Sequence, residues 1–149
     1  MDFDGFLESI DTIFYGRISY DAWGNFQPAF DASSTEQTLW RAVHSKNKYV
    51  FSRQSRQDDK AVFISADFAN EVARIKEQDG KDIWLYGGAS LIKTFADLNL
   101  IDVFRLSVHP VILGKGKPLI ENPTARIPLK LVDTRTFRSG VVQLVYEVS

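Results

Sequence analysis

Two periodicities in the hydrophobic pattern divide the chain into strands and helices. Runs of bulky apolar and β-branched residues predict β-strands, at residues 12–16, 48–52, 61–65, 82–86, 102–113, 129–136 and 141–148. Apolar residues three and four positions apart predict helices, at residues 3–10, 17–23, 67–80 and 89–98. Glycine, proline and serine at residues 24–36 predict a loop.

The order of these elements predicts an α/β fold. Strands and helices alternate up to residue 98, which is typical of a mostly parallel sheet, and the consecutive strands that follow predict antiparallel pairing. No repeat, low-complexity tract or linker interrupts the sequence, so we expect one domain spanning residues 1–149.

Composition narrows the classes of function. The formal net charge is −1, which gives no broad electrostatic reason to expect nucleic acid or an anionic membrane as a partner. The chain has no cysteine and two histidines, so disulfides and thiolate chemistry are excluded and we expect no metal site. No apolar run reaches the ~20 residues that cross a bilayer, and we expect a cytoplasmic protein.

The most informative stretch is "DIWLYGGASLIKTFADLN". The run 83–86, which we expect to be a central strand, stops at Gly87 and Gly88, and helical spacing begins at once at Ala89. Glycine permits a sharp turn and a close approach to the main chain, while the unpaired amides and dipole of a helix start attract an anion. The pattern therefore predicts a phosphate site to which Ser90 could add its hydroxyl. Close packing of the helix on the sheet is the alternative explanation.

Two other predicted strands end in a similar way. Gly16 is followed by Arg17 and Ser19, and a further strand ends in Ser52 and Arg53. Guanidinium groups pair well with phosphate oxygens, so three such strand ends suit a ligand with several phosphates, such as a dinucleotide. Taken singly, each arginine could equally be a solvated surface charge.

Four segments together resemble the dihydrofolate reductase superfamily: "TIFYGRISYDAW", "KYVFSR", "DIWLYGGASLIKTFADLNLID" and "VFRLSVHPVILGKGKPLI". The closest branch holds the C-terminal reductase domain of the bacterial bifunctional riboflavin deaminase-reductase (the RibD C-terminal domain) and its stand-alone relatives. The resemblance implies a three-layer α/β/α fold with a mixed, mostly parallel central sheet and an antiparallel C-terminal hairpin. It also implies an NADPH-dependent oxidoreductase of the dihydrofolate reductase or 5-amino-6-(5-phosphoribosylamino)uracil reductase type.

The resemblance also assigns roles to residues of this chain. The pyrophosphate of NADPH would lie against Gly87 and Gly88, through a cis Gly-Gly bond, and the contact would continue along the helix start. The residues implied at the cofactor are Gly16, Arg17, Ser19, Ser52, Arg53, Tyr86, Gly87, Gly88, Ala89, Ser90 and Leu91. Ser52 and Arg53 would approach the adenosine and its 2′-phosphate, giving a preference for NADPH over NADH.

The sequence departs from the family at its start. Relatives begin with an apolar central strand and a loop resembling "SLDG", and neither precedes the first helix here. A truncated or misassigned start would account for this, as would a sheet closed by a partner chain. By position, the catalytic candidates are Asp4, then Asp2, with Ser107 on a later strand. Asp4 could equally be a helix N-cap, and Ser107 an ordinary strand residue.

Three hypotheses follow for the function. The first is a reductase that passes hydride from NADPH to a pterin, a pyrimidine or another small heterocycle. The second is a nucleotide-binding module of the same fold without turnover. The third is a structural domain that forms a homodimer and whose glycines serve packing. No nucleic-acid or membrane partner is expected in any of them.

Overall fold

The computed structural model describes the backbone of residues 3–24 and 31–149, with side chains from Gly5 onward in those ranges. Contacts divide it into two compact units, the described residues up to Leu91 and residues Ile92–Ser149. The division falls inside one helix.

The first unit is built around a four-stranded parallel sheet with strand order β3-β2-β1-β4. Its elements in chain order are α1 (Phe3–Glu8), β1 (Ile10–Gly16), α2 (Arg17–Ser19), a π-helical turn (Tyr20–Gly24), α3 (Ser34–His44), β2 (Asn47–Phe51), β3 (Val62–Ile64), α4 (Phe68–Lys76), β4 (Asp82–Gly87) and the start of α5 (Ala89–Asp97).

Strand β1 is buried on both faces, as expected of an inner parallel strand. On one face Ile13 is fully buried in a cluster that includes Leu7 of α1 and Val43 of α3. On the other face, the ring of Phe14 packs edge-on against Phe51, with centroids 4.9 Å apart. Both faces of β1 therefore contribute side chains to the core of the first unit.

The second unit contains an antiparallel sheet with strand order β5-β7-β6. The strands are β5 (Val103–Val108), β6 (Leu129–Thr136) and β7 (Val142–Val148). The Asp97 carboxylate at the end of α5 accepts hydrogen bonds from Lys93 Nζ at 2.7 Å and from the Thr124 amide at 3.2 Å. The bond from Lys93 and those from Thr124 lower the pKa of Asp97, and they hold the segment before β6 to the helix.

The predicted α/β fold, with parallel strands followed by antiparallel ones, is confirmed. Two details differ from the sequence-based expectation. The strand predicted at 102–113 ends at Val108, just before His109 and Pro110, and a proline cannot donate to a strand ladder. Strand β4, expected to be central, lies at the end of the sheet in the first unit, as far as the described residues go.

The helices hold the larger errors of the sequence-based prediction. The loop predicted at 24–36 lies partly outside the described residues, and from Ser34 it is wrong, because α3 begins there. The Ser33 hydroxyl caps this helix by accepting the Glu36 amide at 3.2 Å. Asp67 does precede α4, but with a left-handed φ of 56° and without a side-chain cap. Its carboxylate accepts hydrogen bonds from the Asn70 side chain instead.

Among the helices of residues 3–24 and 31–149, none has the length and apolar character needed to span a membrane.

Candidate functional site

Three neighbouring strands of the first unit end together at one edge of the parallel sheet. Gly87 lies opposite Tyr15 across the β4–β1 pair, and Gly16 lies opposite Phe51 across the β1–β2 pair. The chain continues from these ends into Gly88, Arg17 and Ser52. The strand ends that the sequence singled out are therefore adjacent, because parallel strands in register present their carboxyl ends at the same edge.

Two of these strand ends approach each other at backbone distance. A Cβ placed on Gly16 would lie 3.5 Å from both the Gly87 carbonyl oxygen and the Gly88 nitrogen, and one placed on Gly88 would lie 3.4 Å from Ser19 Oγ. Gly87 has a φ of 120°, which favours glycine, and the Gly87–Gly88 bond is cis, as the resemblance implied. We call Gly16, Ser19, Gly87 and Gly88 the glycine cradle.

Helix α5 starts directly after the cradle. Gly88 is the single residue between β4 and Ala89, so no loop intervenes, as predicted. Ser90 is exposed, whereas Leu91 is buried and its Cβ would lie 3.8 Å from a Cβ on Gly16. Leu91 thus packs beneath the cradle, and a ligand could meet it only through its backbone amide.

Arg17, at the start of α2, is linked to a second arginine through one carboxylate. Arg17 Nη1 lies 3.6 Å from Asp21 Oδ2. Arg56, from the loop between β2 and β3, donates to both oxygens of Asp21, at 2.8 and 3.4 Å. Arg56 also reaches Asp58 at 3.5 Å, and Asp58 accepts the Tyr20 hydroxyl at 3.0 Å. The guanidinium of Arg56 is therefore engaged by two carboxylates.

These contacts shift the pKa values of the groups involved. Burial raises the pKa of Tyr20, and the bond to Asp58 raises it further. Burial alone would raise the pKa of Asp58, but the Lys60 amide, the Tyr20 hydroxyl and Arg56 outweigh it and lower that pKa. The hydrogen bond to Asp21 raises the pKa of Arg56. Asp58 and Arg56 are therefore charged at neutral pH, and the Tyr20 phenol is neutral.

The end of β2 carries the third set of predicted residues. The Ser52 amide donates to the Ile64 carbonyl at 3.0 Å, and the Ser52 hydroxyl accepts the Gln54 amide at 3.2 Å. These bonds form a turn at the strand end. Arg53 follows within this turn with an exposed side chain, so it can meet a ligand from solvent.

An aromatic cavity of about 190 Å³ lies in the first unit beside the strand ends. Its lining residues are all apolar or aromatic: Tyr15, Trp23, Leu39, Trp40, Val43, Trp84 and Tyr86. Tyr15 and Tyr86 directly precede the glycines of β1 and β4, and their rings pack with centroids 5.1 Å apart. Burial raises the pKa of both phenols, so both stay neutral hydrogen-bonding groups.

The catalytic candidates are less well defined by the structure. Asp4 lies in α1, without a described side chain, and Asp2 lies outside the described residues. Ser107 belongs to the second unit, on β5, where it lies opposite Gln143 of β7. Their catalytic roles stay predictions. In the parts of the chain that the structure describes, no cluster of histidine and acidic residues could hold a metal ion.

Sequence reasoning missed two groups of candidate residues. One is the wall of the aromatic cavity formed by Leu39, Trp40 and Val43 on α3. Their spacing of three and four, after the Ser33–Glu36 cap, could have indicated that helix. The other is the pair Asp21 and Asp58 at the arginines. The spacing of four between Arg17 and Asp21 could have indicated one ion pair, whereas no local pattern places Arg56 on Asp21, 35 residues away.

Known proteins are similar to this chain in sequence and in fold. The chain is 58% identical over 147 residues to the uncharacterized protein YyaP of Bacillus subtilis, covering 98% of this chain and 78% of that protein. A Shewanella sp. PV-4 structure assigned to riboflavin biosynthesis superposes with a TM-score of 0.76 at 19% identity, over 99% of this chain and 78% of that one.

A bifunctional enzyme has the same fold over part of its length. It is the diaminohydroxyphosphoribosylaminopyrimidine deaminase/5-amino-6-(5-phosphoribosylamino)uracil reductase of Thermotoga maritima. The TM-score is 0.64 at 12% identity, over 100% of this chain and 49% of that one. The RibD C-terminal domain family matches residues 2–143. Because this match covers nearly the whole chain, including the strand ends and the glycine cradle, the chain belongs to the RibD C-terminal domain family.

Proposed function

We propose that this protein is an NADPH-dependent reductase that transfers hydride to a small planar heterocycle of the pterin or pyrimidine type. The observation that carries the proposal is the glycine cradle, which places backbone without side chains where three parallel strands end beside an aromatic cavity. Membership of a reductase-domain family supports it.

The residues of the cradle fit a dinucleotide's pyrophosphate. No side chain covers the main chain at Gly16 or at the exposed Gly88, so phosphate oxygens could reach it there, and Ser19 Oγ lies beside Gly88. Ala89, Ser90 and Leu91 would offer the backbone amides of the α5 start. When bound, the cofactor supplies the hydride; the chain supplies binding and orientation.

The end of β2 would set the choice of cofactor. Arg53 is exposed directly after β2, and Ser52 fixes the turn that carries it. A guanidinium pairs with phosphate by two parallel hydrogen bonds. We assign Arg53 to the 2′-phosphate that distinguishes NADPH from NADH, and Arg17 to the pyrophosphate.

The aromatic cavity would hold the heterocycle. Indole and phenol rings bind planar rings by offset stacking, and its volume of about 190 Å³ suits one ring system rather than an extended molecule. The hydroxyls of Tyr15 and Tyr86 would hydrogen-bond to ring substituents as neutral groups. Asp4 is proposed to support protonation of the substrate, and the role of Ser107, on β5 of the second unit, stays a prediction from the resemblance.

Turnover separates this proposal from a binding module of the same fold. Dihydrofolate and 5-amino-6-(5-phosphoribosylamino)uracil should be offered with NADPH, and the loss of NADPH absorbance followed. We expect oxidation that depends on one of these heterocycles. Tight NADPH binding without oxidation by either class would favour the binding module.

A homodimer is the assembly we propose. Large apolar side chains are exposed along the strands and loops of the second unit: Val103, Val108, Val111, Ile112, Leu113, Leu119, Leu129, Leu131 and Val132. Exposed apolar side chains of this size are typical of interaction surfaces, and a second copy could cover part of them symmetrically.

Light scattering tests the assembly. We expect the mass of a dimer for the natural chain and a shift toward monomer for Ile112→Lys, since Ile112 is 97% exposed within one chain. Replacing it should therefore leave the protomer folded. A monomer at every concentration of the natural chain would contradict the homodimer.

Gly88→Ala tests the cradle. Among the residues that the structure describes, the added Cβ would meet Ser19 Oγ alone, at an ordinary contact distance of 3.4 Å, so we expect the melting temperature to be preserved. The same Cβ would occupy space needed by the pyrophosphate, so NADPH binding should be lost in calorimetric titration. Gly116→Ala, in the second unit, is the matched control. Unchanged NADPH affinity in folded Gly88→Ala would rule out the cradle as the phosphate site.

Arg53→Ala tests cofactor choice. A hydrogen bond to a charged group contributes about 1.5–3 kcal/mol, so NADPH affinity should fall roughly 10- to 150-fold. NADH lacks the 2′-phosphate, and its affinity should change little. Dissociation constants for both cofactors measure the difference. An equal loss for the two would show that Arg53 does not contact the 2′-phosphate.

A further inference from the structure

Asp21 lies between two arginines that have different surroundings. Arg17 stands at the end of β1, beside the glycine cradle, and pairs with Asp21 four residues later. Arg56 comes from the β2–β3 loop and reaches the same carboxylate from a distance of 35 residues. One acidic side chain is thus shared by two cations.

The sharing is unequal. Arg56 contacts both carboxylate oxygens, at 2.8 and 3.4 Å, in a forked arrangement. Arg17 stays at 3.6 Å, longer than a hydrogen bond. Arg17 is also about half exposed, with 49% of its side-chain surface accessible. Its donors therefore remain available to another acceptor.

Arg56 is held in place on its other sides. Asp58 accepts from its guanidinium at 3.5 Å, and the rings of Phe63 and Tyr20 lie 4.4 and 5.7 Å from it. Tyr20 is fully buried and donates to Asp58. These contacts preorganise Arg56 toward Asp21, so its hold on the carboxylate costs little further ordering.

Without Arg56, Asp21 would keep Arg17 as its nearest cation. A carboxylate four residues from Arg17 offers the guanidinium the same forked partner that a phosphate offers. It would compete with a phosphate for Arg17, and its unneutralised charge would repel that phosphate.

We propose that Arg56 is a positioning residue for the cofactor: by engaging the Asp21 carboxylate, it leaves Arg17 available to the pyrophosphate. This rests on the proposed function and adds to it a residue that does not itself touch the ligand. Arg17, Asp21 and Arg56 form a relay in which one ion pair controls the availability of another cation.

The first test is Arg56→Ala, titrated with NADPH and NADH by calorimetry. We expect both affinities to fall by about fivefold, the size of an exposed ion-pair effect. The loss should be equal for the two cofactors, because both contain the pyrophosphate. Arg74→Ala is the matched control, since Arg74 pairs with Glu71 at 2.6 Å on α4 and should leave both affinities unchanged.

The second test is rescue by removing the competitor. Asp21→Asn keeps the shape of the side chain and removes its charge, so Asp21→Asn/Arg56→Ala should bind both cofactors within about twofold of the natural chain. Asp21→Asn alone should bind at least as tightly as the natural chain. This single variant retains the contacts of Arg56 with Asp58 and the rings, so it tests the relay even if Arg56→Ala does not fold.

The outcomes separate a positioning role from a structural one. If Arg56 has only a structural role, the loss of cofactor affinity in Arg56→Ala will not be restored by adding Asp21→Asn. A loss of affinity for NADPH but not for NADH would place the effect on Arg53. Either result overturns the relay. So does weaker binding by Asp21→Asn alone. If the natural chain binds neither cofactor, the proposed function fails together with the relay, whereas binding that Arg56→Ala does not alter overturns the relay alone.

Discussion

The register of three parallel strands is the constraint on which the candidate site depends. Because Tyr15 pairs with Gly87 and Gly16 with Phe51, the ends of β4, β1 and β2 meet at one edge. A shift of one residue would turn Ile13 and Tyr15 out of their core and bring side chains to the positions of the glycines. The pairing of β1 with β2 and β4 therefore also sets the backbone atoms offered to a ligand.

Gly16 and Gly88 matter because the missing side chain leaves space for a ligand, and not because the backbone is flexible there. Gly16 and Gly88 would both tolerate a Cβ within the protein itself, at contacts of 3.4 Å or more. A side chain is thus not excluded by packing at either position, which weakens the interpretation that the pair serves only helix–sheet packing. Gly87 differs, since its φ of 120° is itself a reason for glycine.

The three arginines near the strand ends have different surroundings. Arg56 is engaged by two carboxylates, Arg17 is weakly paired, and Arg53 is exposed in a turn. An arginine already bound by a bidentate carboxylate has little left to give a phosphate. All three tryptophans of the chain line the aromatic cavity, so intrinsic fluorescence would report directly on a ring that enters it.

Local patterns in the sequence determined much of this protein. Period-two and run patterns located β1, β2, β4, β6 and β7, because burial requires apolar residues at those spacings. The motif around Gly87–Gly88 indicated the strand-to-helix junction, because the sharp turn there requires backbone angles that favour glycine. Helix α3 was missed because its apolar residues follow a stretch rich in turn formers, and its cap had to be recognised instead.

Only the tertiary structure decided which side chains meet. The sequence could not place Arg56 on Asp21, because residues 35 positions apart are brought together by the path of the chain between β1 and β3. Nor could it place Trp23, Trp40 and Trp84 around one cavity. Periodicity states which face of an element is buried, whereas the partners across that face depend on strand order and register. Those are set by the packing of the whole sheet, and no short segment contains that information.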